Sequence, residues 1–229
     1  MKLNSKRYRT SVEQLTKKAY PLQEAFEILL KLPSVKFDET VELSLHLGVD
    51  TKQTGQTTRG TVQLPHGNGK TMRIIAFTQD AKRALDLGAC EAGLADLIAK
   101  VKGGWLEFDV AVASIEAMKE VKTLAPILGP KGLMPNPKAG TVAKEIDECI
   151  EALKKGRVEF KMDKGANIQL GIGKRSFGAE KLLINAESVL NAIHQARPIN
   201  FHGRFVVRAF VASTMSPSIS LDEAVFAKL

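Results

Sequence analysis

Residues 125–142 constrain the fold more than any other segment, because they contain four prolines and three glycines and still carry large apolar side chains. Proline fixes φ and lacks a backbone donor, and glycine readily adopts φ > 0, so the segment is predicted to be neither a regular helix nor a strand. A flexible linker would be polar, whereas Ile127, Leu128, Leu133 and Met134 need other apolar groups to cover them. The sequence therefore predicts a rigid, packed loop.

The middle of the chain alternates between strand and helix patterns. Residues 71–77 and 108–113 are mostly apolar and are typical of buried strands. Residues 81–87 have a short helical pattern that Gly88 ends, and apolar residues recur at helical spacing through 142–153. Such alternation predicts a parallel sheet that is flanked by helices.

The two ends of the chain have a different pattern. Residues 40–47 alternate strictly between apolar and polar side chains, which is typical of an antiparallel sheet with one face on the core and the other in water. Residues 158–172 suggest two more strands, and residues 204–212 suggest another. Residues 182–193 have the apolar spacing of an amphipathic helix. The ends are therefore predicted to form a mixed helix and antiparallel-sheet domain.

Short motifs indicate where helices and domains begin. Ser11 and Gln14 fit a capping box that opens a helix, and Pro21 is placed to open the next one. Gly-containing breaks at residues 65–69 and 154–157 separate the two kinds of pattern. The predicted fold is thus an α+β domain formed from both chain termini, with an α/β domain inserted. The predicted segments are 1–67 and 157–229 for the composite domain and 68–156 for the inserted one.

Positive charge is concentrated in the composite domain. The chain of 229 residues has a formal net charge of +8. Segments 1–67 and 157–229 together hold 20 Lys and Arg against 13 Asp and Glu, a net charge of +7. A basic surface of this kind suits a polyanionic partner, so any nucleic-acid footprint is expected on the composite domain.

Several classes of protein are disfavoured by composition. Cys90 and Cys149 are the only cysteines, and their spacing indicates neither a disulfide framework nor a zinc site. Residues 1–10 carry four basic residues and no apolar stretch, unlike a signal peptide. No apolar run approaches the roughly 18 residues that a membrane span needs. The expected location is the cytoplasm, with no membrane partner.

Motifs for enzyme chemistry are incomplete. Residues 69–71 match the end of a phosphate-binding loop, but Leu64 stands where that motif requires its first glycine. Residues 171–174 begin like a dinucleotide fingerprint, but Ser176 replaces its third glycine. The four histidines are scattered without metal-ligand spacing. We predict no catalytic residues, no cofactor site and no metal site.

Nucleic-acid chemistry has better support. Lys36, Phe37 and Thr40 place a cation, an aromatic ring and a hydroxyl just before or at the start of the alternating strand. Such a ring can stack on an unpaired base, and the Lys can bind a phosphate. On the sequence alone, Phe37 could equally cover the core from a loop.

A second group of candidate contacts lies in the C-terminal third. Thr214 and Met215 follow the last predicted strand, in a turn where a hydroxyl and a polarizable thioether could lie against a sugar or a base. The alternative is that Met215 is buried in the core. Lys164 and Lys174 add positive charge on loops of the same domain, although surface charges often serve only solvation.

Residues 128–142 closely resemble the hallmark loop of the bacterial large-subunit ribosomal protein L-one family, which forms the mobile ribosomal stalk. The matching residues are Leu128-Gly-Pro-Lys-Gly-Leu-Met-Pro-Asn-Pro-Lys138 and Gly140-Thr-Val142. Further motifs in the order and spacing of that family are Leu47-Gly-Val-Asp50, Arg59-Gly-Thr61, Leu64-Pro-His-Gly67, Lys102-Gly-Gly-Trp105 and Thr214-Met215. The resemblance extends over nearly the whole chain, and a run of eleven residues with three prolines is specific.

The resemblance implies a fold, a set of partners and a site. The inserted domain would be a Rossmann-like, three-layer α/β domain without a bound cofactor. The protein would be a non-enzymatic structural component of the ribosome that is monomeric when free. Its partners would be a stalk segment of large-subunit rRNA, the exit-site tRNA and the mRNA of its own operon, whose translation it would repress. The RNA contacts carried onto matching positions are Lys36, Phe37, Thr40, Lys164, Lys174, Ser176, Thr214 and Met215.

Four positions depart from the family pattern. Ser216 stands where Gly usually follows Thr-Met, and it adds bulk at a point of close backbone approach. Arg208 replaces a residue that is often a small hydroxyl, Arg175 replaces a smaller residue after Gly-Lys, and Gln169 replaces a frequent histidine. These departures bear on individual contacts and on repression more than on a ribosomal role.

Two other hypotheses remain open from the sequence. The α/β segment could belong to a nucleotide-dependent enzyme, which predicts that residues 68–156 bind a nucleotide. The chain could instead be a protein-interaction scaffold with incidental basic charge, which predicts salt-sensitive but non-selective RNA binding.

Overall fold

A computed structural model describes residues 5–15, 18–49, 58–143, 146–198, 201 and 203–226. Asp50, which belongs to one of the family motifs, lies outside the described residues, as does the side chain of Lys138. Among the residues so described, no helix is both long and apolar enough to cross a membrane.

The described residues alternate between strands and helices along the chain. The strands are β1 (Thr40–Leu47), β2 (Arg59–Gln63), β3 (Ile74–Phe77), β4 (Glu91–Gly93), β5 (Val110–Ser114), β6 (Val142–Ala143), β7 (Arg157–Lys161), β8 (Asn167–Lys174), β9 (Val206–Ser213) and β10 (Ile219–Ser220). The α-helices are α1 (Lys6–Gln14), α2 (Leu22–Lys31), α3 (Ala81–Asp86), α4 (Ala95–Lys102), α5 (Met118–Val121), α6 (Ala125–Leu128), α7 (Ile146–Lys154) and α8 (Gly178–Gln195).

Contacts divide the chain into two compact units. Lys70–Arg157 form the first, which we call the α/β unit. Residues up to Gly69 and from Val158 onward form the second, which we call the composite unit. Each unit has its own sheet and its own apolar core.

The α/β unit is built on a four-stranded parallel sheet in the order β4-β3-β5-β6. Neighbouring residues of β3 point to opposite faces of this sheet, as they do in any strand. Ile75 and Phe77 enter an apolar cluster with residues of α4, whereas Ile74 and Ala76 enter a second cluster with residues of α3 and α7. Helices therefore cover both faces of the sheet, which gives the unit three layers.

The composite unit contains a four-stranded antiparallel sheet in the order β10-β9-β1-β8. Its apolar face packs against α2 and α8, and Phe26, Leu43, Ile168 and Val189 are buried between them. The opposite face is polar and partly exposed along β1, as the strict alternation predicts. A second, two-stranded sheet pairs β2 with β7. The prediction of a mixed α/β chain with a parallel and an antiparallel sheet is confirmed.

The predicted capping box at Ser11 is wrong. Helix α1 begins at Lys6, and the Oγ of its N-cap Ser5 accepts a hydrogen bond from the Tyr8 N–H at 3.3 Å. Ser11 lies inside the helix, where its Oγ donates to the Arg7 carbonyl oxygen at 3.0 Å. A serine can bond the backbone in either position, so the motif alone does not fix the helix start. Pro21, by contrast, directly precedes α2 as predicted.

The proline-rich segment packs as predicted, but it is not irregular throughout: Pro137–Ala139 form a 3₁₀ turn, and Val142 begins β6. The first four residues of the segment form the single helical turn α6, which the prediction of a loop had excluded. Pro126 fits there because a proline in the first turn of a helix leaves no internal hydrogen bond unmade. Leu128 is fully buried, and the other three apolar side chains of the segment pack against the same cluster as α4.

Candidate nucleic-acid interface

Three connecting segments meet at one end of the antiparallel sheet, where β1 begins and its two neighbours end. Strands β8 and β9 both run antiparallel to β1, so the start of β1 lies beside the ends of its two neighbours. Thr40 is paired with Lys174 on one side, and Val41 is paired with Ser213 on the other. We call this end of the sheet the loop edge. It carries all but one of the predicted RNA contacts, namely Lys36, Phe37, Thr40, Lys174, Ser176, Thr214 and Met215.

Direct hydrogen bonds join the strand ends at the loop edge. The Thr40 N–H donates to the Thr214 Oγ1 at 3.0 Å, and the Thr214 N–H donates to the Thr40 carbonyl oxygen at 3.0 Å. From the other side, the Lys174 Nζ donates to the Thr40 Oγ1 at 2.8 Å. Thr40 thus lies at the centre of the edge, with a hydroxyl on one flank and an ammonium group on the other.

The segment before β1 is held to the segment after β8 by Asp38. Its carboxylate accepts hydrogen bonds from the Ser176 Oγ at 2.7 Å and from the Ser176 N–H at 3.1 Å. These contacts fix the chain next to Phe37. Ser176 is therefore engaged within the protein, and it remains exposed.

Exposure decides two of the alternatives that the sequence left open. Phe37 is 54% exposed, so it does not cover the core. Met215 is 48% exposed and is not buried in the core either. Large apolar side chains that project into water beside Lys36 and Lys174 are available to stack on the bases of a nucleic acid.

A buried polar network lies directly beneath the loop edge. Glu39 is fully buried, and its Oε2 accepts from the Arg175 Nη1 at 2.9 Å and from the Ser213 Oγ at 2.7 Å. The arginine that departs from the family pattern is therefore an internal ion-pair partner. Sequence reasoning missed Glu39. Alternate residues of β1, such as Val41 and Leu43, point into the core, and Glu39 lies two positions before Val41 and so points the same way.

The other departures have separate positions. The Ser216 Oγ accepts from the Ser213 N–H at 2.9 Å and donates to the Pro217 carbonyl oxygen at 3.0 Å, so its hydroxyl stabilises the turn after β9. Gln169 and Arg208 are exposed on the open face of the sheet, on β8 and β9 respectively. Both lie several residues along their strands from the loop edge.

Lys164 lies at the opposite end of the sheet from the other predicted contacts. It occupies the turn between β7 and β8, just before Asn167, which pairs with His46. His46 lies six positions after Thr40 along β1, a distance of about 20 Å at 3.3 Å per residue. Backbone and side-chain hydrogen bonds from Asn167 hold the pKa of Asp163 below its usual range, so this turn is fixed around a carboxylate.

The α/β unit contains a cavity of about 430 Å³ at the carboxyl ends of β3 and β5. Ligands of open α/β sheets often bind at such a position, where the strand order reverses. Asp80 and Glu116 line this cavity together with an ion pair between Arg83 and Asp147. Carboxylates repel phosphates, and Arg83 is the one arginine among the described lining residues and is already paired, so this lining does not favour the nucleotide-dependent enzyme. In the described part of the chain, no group of three or more His, Cys, Asp or Glu side chains is arranged to hold a metal ion.

Comparison with known proteins identifies the family. The model of the ribosomal protein L1p/L10e family matches residues 29–217. A protein of Protochlamydia amoebophila named large ribosomal subunit protein uL1 is 47% identical over 221 residues, covering 95% of this chain and 94% of that protein. Proteins with the same name from Kosmotoga olearia and Chlamydia caviae are 44% and 46% identical, over 97% and 90% of this chain and 97% and 89% of their own lengths.

These matches decide the class of the protein. Relatives that share nearly the whole chain are components of the large ribosomal subunit, and none of those names describes an enzyme. The bacterial large subunit is a cytoplasmic particle, so the expected cytoplasmic location follows from the family. The resemblance seen in the sequence motifs is confirmed: the chain belongs to the ribosomal protein L1p/L10e family.

Proposed function

We propose that this protein binds the stalk segment of large-subunit rRNA through the loop edge of its composite unit. The observation that carries the proposal is the convergence of an exposed aromatic ring, an exposed thioether and two lysines around the Thr40–Thr214 contact. The chain belongs to a family of ribosomal proteins, and the composite domain carries most of its net positive charge.

The chemistry of the loop edge suits a folded, partly unpaired RNA. Lys36 and Lys174 neutralise phosphates, which supplies affinity without regard to sequence. Phe37 stacks on an unpaired base, and Met215 lies against a sugar or a second base. The Thr214 hydroxyl keeps a free lone pair that can accept from a ribose 2′-OH, a group that DNA lacks.

Lys164 contributes from the far end of the sheet. A cation about 20 Å from Thr40 reaches a different part of the RNA, because successive phosphates along one strand are only a few ångströms apart. We therefore assign Lys164 to a second backbone contact. Such a contact adds affinity and orients the RNA along the sheet.

Further roles follow from the family resemblance. We propose that the same loop edge binds a similar structure in the mRNA of the protein's own operon, so that rRNA and mRNA compete for it. We also propose that the protein contacts the exit-site tRNA, and that it is a monomer when free. Competition binding, footprinting of tRNA on reconstituted ribosomes and light scattering test these three proposals separately.

We also propose that the two compact units are independent domains, with the Rossmann-like α/β domain inserted into the composite one. The separate sheets and cores support this assignment. Expressing residues 70–157 alone tests it, since an independent domain unfolds cooperatively and a fragment that depends on the rest does not.

The decisive experiment is a salt series with two RNAs of equal length. One is the folded ribosomal stalk fragment, and the other is a scrambled sequence. Selective binding that persists at moderate salt supports the proposal. Equal and steeply salt-dependent binding to both RNAs would contradict it and would favour the scaffold with incidental charge. Equilibrium dialysis of the full chain with mixed nucleotides tests the enzyme hypothesis. That hypothesis requires the protein to retain a nucleotide.

A further inference from the structure

The ion pair beneath the loop edge is unusual in its burial. The Glu39 side chain is fully buried, and the Arg175 side chain is only 12% exposed. A charge this far from water is costly unless its partners satisfy it. Its position and bonding therefore need an explanation.

Arg175 connects three separate parts of the composite unit. Its guanidinium donates to the Glu39 carboxylate and to the carbonyl oxygens of Leu30 and Leu32, at the end of α2. Its backbone N–H donates to the Glu39 carbonyl oxygen at 2.8 Å. Through these bonds the end of β8 is fixed against both the end of α2 and the segment that enters β1.

Stability alone does not account for this arrangement. Buried ion pairs seldom stabilise a fold more than apolar residues of similar size would, because desolvation offsets the attraction. The Glu39 Oε1 is buried and has no hydrogen-bond partner among the described residues, which adds a further cost. Stability therefore does not explain why a charged pair stands here, whereas its bonds fix the geometry of the three segments that they join.

Every member of the network adjoins a proposed RNA contact. Glu39 directly precedes Thr40, and Ser213 directly precedes Thr214. Arg175 lies between Lys174 and Ser176. A shift of the buried groups would therefore move all three exposed segments relative to one another.

We propose that Glu39 and Arg175 are positioning residues that set the spacing of the loop edge for a folded RNA without touching the RNA. The inference rests on the proposed function of the loop edge. It assigns selectivity for the folded target to a buried ion pair, while general affinity for RNA stays with Lys36 and Lys174. Binding to a flexible, scrambled RNA does not need a fixed spacing, so the two properties are separable.

The test uses the full chain and replaces the pair by apolar residues, in the double variant E39L/R175M. One negative and one positive charge are removed, so the net charge is unchanged. Affinity for the stalk fragment is expected to fall at least 10-fold, while affinity for scrambled RNA and the salt slope stay the same. The melting temperature is expected to remain within a few degrees of the wild-type value.

Controls separate positioning from other effects. The exposed pair Lys155–Glu151 is also charge-balanced and lies in the α/β unit, so K155Q/E151Q should leave binding of both RNAs unchanged. R175K keeps the charge but cannot make the forked set of bonds, and an intermediate loss of selectivity is expected. Amide hydrogen exchange should become faster at Thr40 and Thr214 in E39L/R175M and stay slow at Leu43, in the middle of the same strand.

Each other outcome overturns the inference. Unchanged stalk affinity in E39L/R175M would show that the pair positions nothing. A salt slope that falls by about 0.7–0.9 would show that Arg175 itself neutralises a phosphate. Loss of binding to both RNAs together with a lower melting temperature, also in E39Q and R175K, would show a purely structural role. A wild-type protein that does not distinguish the two RNAs would refute the proposed function as well, so the two failures are distinguishable.

Discussion

Thr40 and Thr214 are 174 residues apart in the chain, and the N–H of Thr40 donates to the side-chain hydroxyl of Thr214 at 3.0 Å. That hydroxyl can also donate to the Thr40 carbonyl oxygen, at 3.3 Å. The exposed Thr214 side chain therefore joins the first and last strands that form the loop edge, and it retains one lone pair for an outside donor. The Thr214 Oγ1 therefore makes a structural hydrogen bond and is also a proposed contact to RNA.

Replacing Thr214 by Val tests that double role. Valine has nearly the same shape but no hydroxyl, so the Thr40 N–H loses its acceptor and the RNA loses one partner. A hydrogen bond is worth about 1 kcal/mol, so affinity for the stalk fragment should fall about 5-fold or more. Filter binding measures this loss, and circular dichroism checks that the fold is kept. T214S, which retains the hydroxyl, should bind like the wild type, and equal binding by T214V would remove Thr214 from the site.

Lys174 is predicted to act on phosphates in general. K174A should weaken binding to stalk and scrambled RNA alike and reduce the slope of log affinity against log salt by about 0.7–0.9. Lys181 is exposed on α8 of the same unit and is a matched control, because K181A removes an equal charge outside the loop edge. A loss for K174A that is confined to the stalk fragment would contradict a phosphate contact.

Local features of the fold could be predicted from the sequence better than contacts between distant parts of the chain. Strand β1 has the predicted bounds, because the polarity of each side chain in the alternating pattern indicates whether it faces the core or water. Strand β3 begins at Ile74, three residues later than predicted, because apolar character does not reveal where strand pairing starts. The last predicted strand likewise starts at Val206, which leaves Arg204 outside it.

The sequence predicted a set of candidate residues but not their arrangement. The Glu39–Arg175 pair joins positions 136 residues apart, and no local pattern reports such a contact. The burial of Glu39 could have been inferred by extending the alternation of β1 backwards, because Glu39 lies two residues before the inward-pointing Val41. The separation of Lys164 from Lys174 follows from the register of β8 against β1, which only the fold determines.

That separation has a measurable consequence. Lys164 and Lys174 lie at opposite ends of the sheet and share no described partner, so their contributions to RNA binding should be independent. The factors by which K164A and K174A each raise the Kd for the stalk fragment should multiply in the double variant. Fluorescence anisotropy at one fixed salt concentration is sufficient for the measurement. A double variant no weaker than K174A alone would show that Lys164 makes no contact.

The α/β unit offers a prediction about pH that should leave RNA binding untouched. The Asp109 carboxylate accepts from the Arg73 backbone N–H at 3.0 Å and from the Lys70 Nζ at 3.1 Å. The Arg73 N–H is the larger cause and the Lys70 ammonium the next, and together they hold the pKa of Asp109 below its ordinary range. The folded state thus favours the charged carboxylate, which ties the approach to β3 to the start of β5.

A lowered pKa contributes stability above the ordinary aspartate pKa of about 4, and the contribution disappears as pH falls through the lowered value. D109N should therefore reduce the free energy of unfolding by about 1 kcal/mol at pH 7, a modest amount because the groups are partly exposed. The difference from the wild type should shrink in urea titrations near pH 3. E91Q, which removes the charge of a more exposed carboxylate paired with Lys100, should lower the free energy of unfolding by less than D109N does. A deficit for D109N that does not change with pH would mean that shape, and not the ionised carboxylate, stabilises this contact.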